Sequence, residues 1–293
     1  MINNFLLKRK LILGTAQFGS SYGIANKNKK GISKKKVTKI LNFSKKNKIC
    51  YIETARNYHN SEKKLAESGI NEFNIITKIP KLNLRLNTNK LKEEINYFFL
   101  KSRNNILKKR LYGLLLHNGE QLLSNKGNII YNSLLRIKKA NNIQNIGISV
   151  HNPMSLKKII KQYKFDIVQV PFNIFDNRIY DQGIVSLLKK KNIKIHCRSI
   201  FLQGLLLMNY SKIPKHLQKY FSLFFLNTED LIEKKLNLCL KHVLFHKEID
   251  KFIIGIDNIR QLIQIINIIK NIIPRQYTEY KTNNIKVIDP LRW

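Results

Sequence analysis

The stretch Tyr51-Ile52-Glu53-Thr54-Ala55-Arg56-Asn57-Tyr58-His59-Asn60-Ser61-Glu62 decides how this 293-residue chain is read. A short apolar run ends in a carboxylate, Glu53, and a phenol, Tyr58, follows five positions later in what reads as a loop. Ser61 then opens a helical segment with Glu62 in its first turn, where an acid complements the helix dipole. Two further apolar runs end in the same way: Ile75-Ile76-Thr77-Lys78 closes on an amine and Leu114-Leu115-Leu116-His117 on an imidazole. A carboxylate, a phenol, an amine and an imidazole at the tips of neighbouring strands suit proton transfer rather than packing.

Outward from this stretch, short apolar runs alternate with segments of helical period along the chain. Strands are expected at Leu11–Gly14, Cys50–Glu53, Asn74–Lys78, Tyr112–His117, Asn145–Ser149, Ile167–Val170, Ile193–Cys197 and Phe252–Gly255. Most lack strict alternation, which fits strands covered on both faces in a parallel sheet. Helices are expected from a Ser33 cap to about Lys46, from Ser61 onward, and over Lys90–Lys101, Ile129–Ala140, Pro153–Lys161, Asp181–Lys190, Thr228–His246 and Ile259–Ile269. Eight strand-then-helix units imply an α/β fold, a single (β/α)8 TIM barrel. A doubly wound sheet is the fallback, but its glycine-rich G-x-G-x-x-G turn appears nowhere. No Pro/Gly/Ser-rich linker divides residues 1–293, so one domain is expected, with the Leu-, Phe- and Tyr-rich segment 205–227 as an inserted lid or partner surface.

In such a barrel the chemistry sits at the carboxyl ends of the strands. Glu53, Lys78, His117, Ser149, Gln169 and Arg198 all stand at or just past those ends. Polar groups there are costly if they face only core, so a shared pocket is the economical reading. A phenol with an ordinary pKa of about 10 is a poor proton donor at neutral pH. A cationic Lys78 beside Tyr58 would lower that value, Glu53 would hold the lysine charged and in place, and His117 would hydrogen-bond a substrate oxygen. Such a set serves an oxygen that turns negative as hydride reaches its carbon: carbonyl reduction, or alcohol oxidation in reverse.

Composition narrows the class. Three cysteines, Cys50, Cys197 and Cys239, are an odd count without a C-x-x-C pair, and the seven histidines show no zinc spacing, so no metal is expected. The Met1–Lys10 segment has too short an apolar stretch for a signal peptide, and no run approaches the roughly 18–20 apolar residues of a membrane span. A cytoplasmic location without membrane contact follows as the expectation. With 54 Lys+Arg against 18 Asp+Glu, the formal charge is +36. Nucleic-acid binding is one reading of that excess. The stronger one is a composition bias toward A/T-rich codons, because lysines spread over every expected helix, and the clusters at 27–30, 34–36 and 189–191 read as solvated faces. No zinc finger, RNP-type strand or basic heptad region supports a nucleic-acid partner.

The chain resembles an aldo-keto reductase over nearly its whole length. Leu13-Gly14-Thr15-Ala16-Gln17-Phe18-Gly19 is similar to the family's opening strand and loop, and Glu53-Thr54-Ala55 through Tyr58 and Asn60-Ser61-Glu62 to its D-T-A-x-x-Y-G-x-S-E signature. Thr77-Lys78, Leu116-His117-Asn118, Gly147-Ile148-Ser149, Gln169-Val170-Pro171-Phe172-Asn173, Arg198 through Gly204 and Ile254-Gly255 follow in the expected order. The resemblance implies a barrel that binds NADPH or NADH without a Rossmann fold and reduces a small aldehyde, ketone or sugar-like carbonyl. Tyr58 is then the general acid, Lys78 its activator, His117 the group orienting the carbonyl, and Glu53 stands where the family carries Asp. The wording of residues 14–19 and 22–26 is similar to members linked to surface-sugar biosynthesis.

Two departures matter. Glu is one methylene longer than Asp and moves a carboxylate by roughly 1.5 Å on a fixed backbone, where a misplacement of about 1 Å can cost on the order of a hundredfold in rate. His59 replaces the signature glycine, which carries a strain cost if φ there is positive. The alternative function is therefore a cofactor-binding barrel with little or no turnover. For the cofactor, the resemblance implies Ser149 and Gln169 at the nicotinamide carboxamide, with Asn173 either nearby or a turn residue. Arg198 occupies a place where the family often stacks an aromatic ring, and a planar guanidinium also stacks. Ser199, Leu202 and Gly204 belong to the loop over the pyrophosphate, while Gly255, Asn258 and Gln261 meet the adenosine end at a helix start. Asp257 and Arg260 near that end leave the choice between NADH and NADPH open. Trp293 either lines the substrate pocket or caps the barrel bottom.

Overall fold

The computed structural model describes residues 8–20, 22–25, 31–107, 110–272 and 280–293. Asn26, the 27–30 lysine cluster and most of the Met1–Lys10 segment lie outside them. Eight strands, β1 (Leu11–Gly14), β2 (Tyr51–Glu53), β3 (Asn74–Ile79), β4 (Gly113–Leu116), β5 (Asn145–Ser149), β6 (Ile167–Pro171), β7 (Lys194–Arg198) and β8 (Lys251–Gly255), close in chain order into one parallel barrel. The TIM-barrel expectation holds, and β1 seals the ring against β8 with Leu13 opposite Ile254.

The two-residue period of the strands sorts side chains into two cores. Ile12, Ile76, Leu115 and Ile167 pack inside the ring with Tyr112. Leu13, Ile52, Ile75, Val168, Ile195 and Cys197 face the surrounding helices. Full burial of each such aliphatic contributes about 2 kcal/mol. A slip of one residue would exchange the two sets, so register is strongly specified. The same period turns Glu53, two residues after Tyr51, and Lys78, two after Ile76, toward the barrel mouth.

Around the ring lie α1 (Lys34–Lys46), α2 (Ser61–Glu67), α3 (Thr88–Ile106), α4 (Gly127–Ala140), α5 (Pro153–Gln162), α6 (Ile184–Lys190), α7 (Lys215–Asn227), α8 (Ile232–Phe245) and α9 (Ile259–Asn271). Helix α5 starts as its sequence predicts, with Asn152 accepting from the Met154 N–H and Pro153 in the first turn. Helix α3 outruns its expected span because Leu91, Ile95, Phe99, Ser102 and Ile106 continue one buried stripe, capped at Asn87 by the Lys90 N–H. Ser33 precedes α1 without a side-chain capping bond, so that expected cap is absent.

Two expected helices are cut shorter. The 181–190 segment breaks at Gly183 (φ 65°), leaving a turn at Arg178–Asp181 before α6. The 228–246 segment begins only at Ile232, because Thr228 ends α7 and Glu229 and Asp230 take φ of 51° and 53°. Within 205–227, α7 buries Leu217, Phe221, Phe224 and Phe225, with Phe221 edge-on to Phe175 at 4.8 Å. No described helix is long and apolar enough to cross a membrane.

Candidate active site

At the barrel mouth the side chains of β2 and β3 converge. Lys78 Nζ donates to Glu53 Oε1 and lies 3.1 Å from Tyr58 Oη, which binds the three sequence-predicted groups into one unit. The Tyr58 loop is set by buried bonds. Ser61 Oγ donates to Thr15, whose hydroxyl lies at 2.8 Å, and Thr15 Oγ1 donates to the Glu53 carbonyl at 3.1 Å. Ser61 opens α2 as its first residue, as expected, and ties it to the loop after β1. Glu62, fully buried, accepts from Thr77 Oγ1 (2.7 Å) and Asn105 Nδ2 (3.2 Å), fastening α2 to β3 and α3. Gly19 is required by close approach, since a Cβ there would stand 1.9 Å from the Tyr58 carbonyl oxygen.

His117 stands edge-on to Tyr58, ring centroids 5.8 Å apart, with Nδ1 3.0 Å from Asn57 Oδ1. Burial, then the Lys78 and Arg198 cations and His151, lower its pKa to about 2, so the ring is neutral. His59 is exposed and takes φ 49°, so the condition for a strain cost at this position is met.

Electrostatics at the mouth favour the neutral phenol. Burial pushes the Tyr58 phenol well above its usual value, Glu53 and Tyr22 push it further, and Arg198 opposes them. Lys78, 3.1 Å away, pulls the other way, but Glu53 holds the same ammonium and offsets much of that pull. The phenol therefore keeps its proton, as a donor must. Lys78 itself is lowered by burial against the opposing pull of Glu53.

A cavity of about 460 Å³ opens beside these groups, from Glu53, Tyr58 and Arg198 past Gly14 and Gly255 to Asp257, Gln261 and Gln264 on the far side. Ser199 and Gly204 also lie on its wall. The loop after β7 is held in left-handed backbone at Ser199, Leu202, Gln203 and Gly204, and a Cβ on Gly204 would meet that of Ala25 at 2.9 Å. Arg198 is steered across the mouth: Nη2 donates to the Val150 carbonyl (3.0 Å) and lies 3.1 Å from His151 Nδ1, and Nη1 donates to Ser199 Oγ (3.2 Å).

Other expected contacts lie off this wall. Leu202 has no exposed surface and packs in the outer core, so its side chain makes no cavity contact. Asn258 caps α9 by accepting from the Gln261 N–H. Asn173 is a turn residue, accepting from the Phe175 and Asp176 N–H groups. Ser149, the last residue of β5, pairs in register with Gln169 in the middle of β6; both are fully buried, the Gln169 amide nitrogen and oxygen both lacking a partner. Trp293 donates to the Lys286 carbonyl at 3.1 Å and is not on the wall. Sequence reasoning overlooked Gln17, Gln203, Gln264, Ile232 and His151 as contributors. Gln264 was findable, since it shares a helix face with Gln261 one turn earlier.

The residues present fit a dinucleotide: an elongated wall backed by glycines, a buried carboxamide with both polar atoms unsatisfied on neighbouring strands, and a proton donor at one end. Fold and site together form a (β/α)8 barrel with a buried Glu–Lys–Tyr cluster at its mouth. The chain belongs to the Aldo/keto reductase family, whose model matches residues 10–285. It is similar in fold to an aldo-keto reductase from Bacillus halodurans in its holo form, with 16% identity, 91% of this chain and 88% of that one covered, and a TM-score of 0.71. A putative aldo-keto reductase from Pseudomonas aeruginosa has 16% identity, 89% of each chain covered and a TM-score of 0.63. The thermostable aldo-keto reductase Tm1743, solved with the inhibitor epalrestat, has 14% identity, 90% of each chain covered and a TM-score of 0.64. No curated protein matches the sequence. Members of this family generally use NAD(P)H on small carbonyl substrates, and among the described residues no cluster could hold a metal ion.

Proposed function

We propose that the protein reduces a small aldehyde, ketone or sugar-like carbonyl to the alcohol, with Tyr58 as general acid. One observation carries this reading: Lys78 Nζ lies 3.1 Å from Tyr58 Oη while Glu53 holds the same ammonium. A phenol kept protonated by burial delivers its proton to the carbonyl oxygen as negative charge develops there. Lys78 then stabilises the phenolate that remains. NADH or NADPH supplies the hydride when bound; Arg198, Ser199, Gly204, Gly255 and Gln261 line the cavity that would receive it, and the unsatisfied Gln169 carboxamide, in register with Ser149, supports that reading.

His117 orients the carbonyl, and Asn57 selects its tautomer. With the Asn57 NH2 toward Nδ1, the neutral ring carries its proton on Nε2 and donates to the substrate oxygen. With the Asn57 oxygen toward Nδ1, at 3.0 Å, a hydrogen bond between them puts the ring proton on Nδ1. Rotation of one carboxamide therefore arms the histidine.

The test is turnover of a general aldehyde beside cofactor titration. Tyr58→Phe is expected to abolish reduction while cofactor affinity stays within roughly twofold, since it removes an interaction made in the transition state. Reduction that persists in Tyr58→Phe overturns the assignment. Cofactor binding without turnover in the unaltered protein would replace it with the non-catalytic alternative.

A further inference from the structure

The cavity wall changes character along its length. Near Tyr58 it carries Arg198, the sole lysine or arginine among the described wall residues. On the α9 side it carries Asp257, Gln261 and Gln264, one carboxylate and two carboxamides. Arg260, the basic residue closest in sequence, is exposed and off the wall. Two amides at that end are engaged locally. The Gln261 N–H donates to Asn258 Oδ1 at 3.1 Å, and the Asp257 N–H donates to Gln261 Oε1 at 2.7 Å. Among the described wall residues, that end thus presents no lysine or arginine to a phosphate. It is well supplied with acceptors, which suit hydroxyl groups.

We propose that the site takes NADH in preference to NADPH, with Asp257 as the discriminating residue. This rests on the reading above, in which the nicotinamide lies at Tyr58 and the adenosine at the α9 side. An unsubstituted ribose offers hydroxyls that donate to the Asp257 carboxylate or the glutamine amides, whereas a 2′-phosphate sets like charge against Asp257. The carboxylate is partly buried, which weakens the solvent screening that would otherwise blunt the repulsion. The net charge of +36 draws both dinucleotides, and the phosphorylated one more strongly, so the local discrimination works against the global field.

The experiment titrates the full chain with each reduced dinucleotide at about 0.15 M salt, following nicotinamide fluorescence. NADH should bind at least roughly tenfold more tightly than NADPH, Asp257→Asn should shrink that ratio to about threefold by improving NADPH, and Asp257→Arg should invert it. NADPH binding as tightly as NADH, or an unchanged ratio in Asp257→Asn, overturns the proposal. Failure of both dinucleotides to bind overturns the oxidoreductase reading as well. Tight binding of both without discrimination overturns this inference alone.

Discussion

Glu53 and Lys78 meet as carboxylate and ammonium on adjacent strands, with side-chain exposures of 4% and 1%. Glu53 pairs in register with Ile76, so Lys78 stands one inward-facing position further along β3. Gly14 faces Glu53 across β1 and β2. Removing the charge strands a buried cation, so Glu53→Gln should destabilise the protein by about 3 kcal/mol in urea unfolding. Glu53→Asp, which keeps the charge with less reach, should fall between the two.

The pH profile follows from the phenol. Reduction needs Tyr58 protonated, and its pKa lies well above 10, so the alkaline loss of rate is displaced upward. His117, at about 2, stays neutral throughout. The rate of the chemical step should be flat between about pH 6 and pH 9. A decline centred near neutrality would show that Lys78 acidifies the phenol after all.

Asn57 gives a sharper probe of the histidine. Asn57→Asp can only accept at His117 Nδ1, fixing the proton there and leaving Nε2 without a hydrogen. The expected result is a loss of kcat on the order of a hundredfold with cofactor affinity unchanged, as for a misassigned catalytic tautomer. Asn57→Ala, which leaves the ring free to choose, should lose less.

Arg198 forms no ion pair among the described residues and borders the cavity at its Tyr58 end. Oxidised nicotinamide carries a positive charge that the reduced ring lacks. Arg198→Met should therefore tighten the oxidised dinucleotide by about tenfold relative to the reduced one, measured as a ratio of dissociation constants. An unchanged ratio would place the guanidinium away from the nicotinamide.

Gly19 lies outside the chemistry yet controls it. A methyl at this position has nowhere to go but into the Tyr58 carbonyl, so Gly19→Ala should cost about 1–3 kcal/mol of stability and displace the Tyr58 loop. Reduced kcat at preserved cofactor affinity would report that displacement.

The barrel was legible because its strands are short apolar runs, three of which lead to a polar residue of the proposed site. Glu53, Lys78 and His117 are visible as polar stops, and a two-residue period carries them to one rim. Helix boundaries were harder. The break at Gly183 and the left-handed pair Glu229–Asp230 interrupt segments whose hydrophobic period continues across them. The cavity wall was least legible, since Gln17, Gln203 and Gln264 come from three separate segments that meet only when the ring closes. The ionisation of Tyr58 depends on depth and on Glu53 neutralising Lys78, neither of which residue spacing encodes.

The seal between β1 and β8 reaches beyond catalysis. Every strand has a neighbour on each side, so the isoleucine-rich ribbons present no free margin for another chain to extend. Loss of β8 would open two such margins at once, along Leu11–Gly14 and Lys194–Arg198, and turn a self-contained cylinder into a template for aggregation.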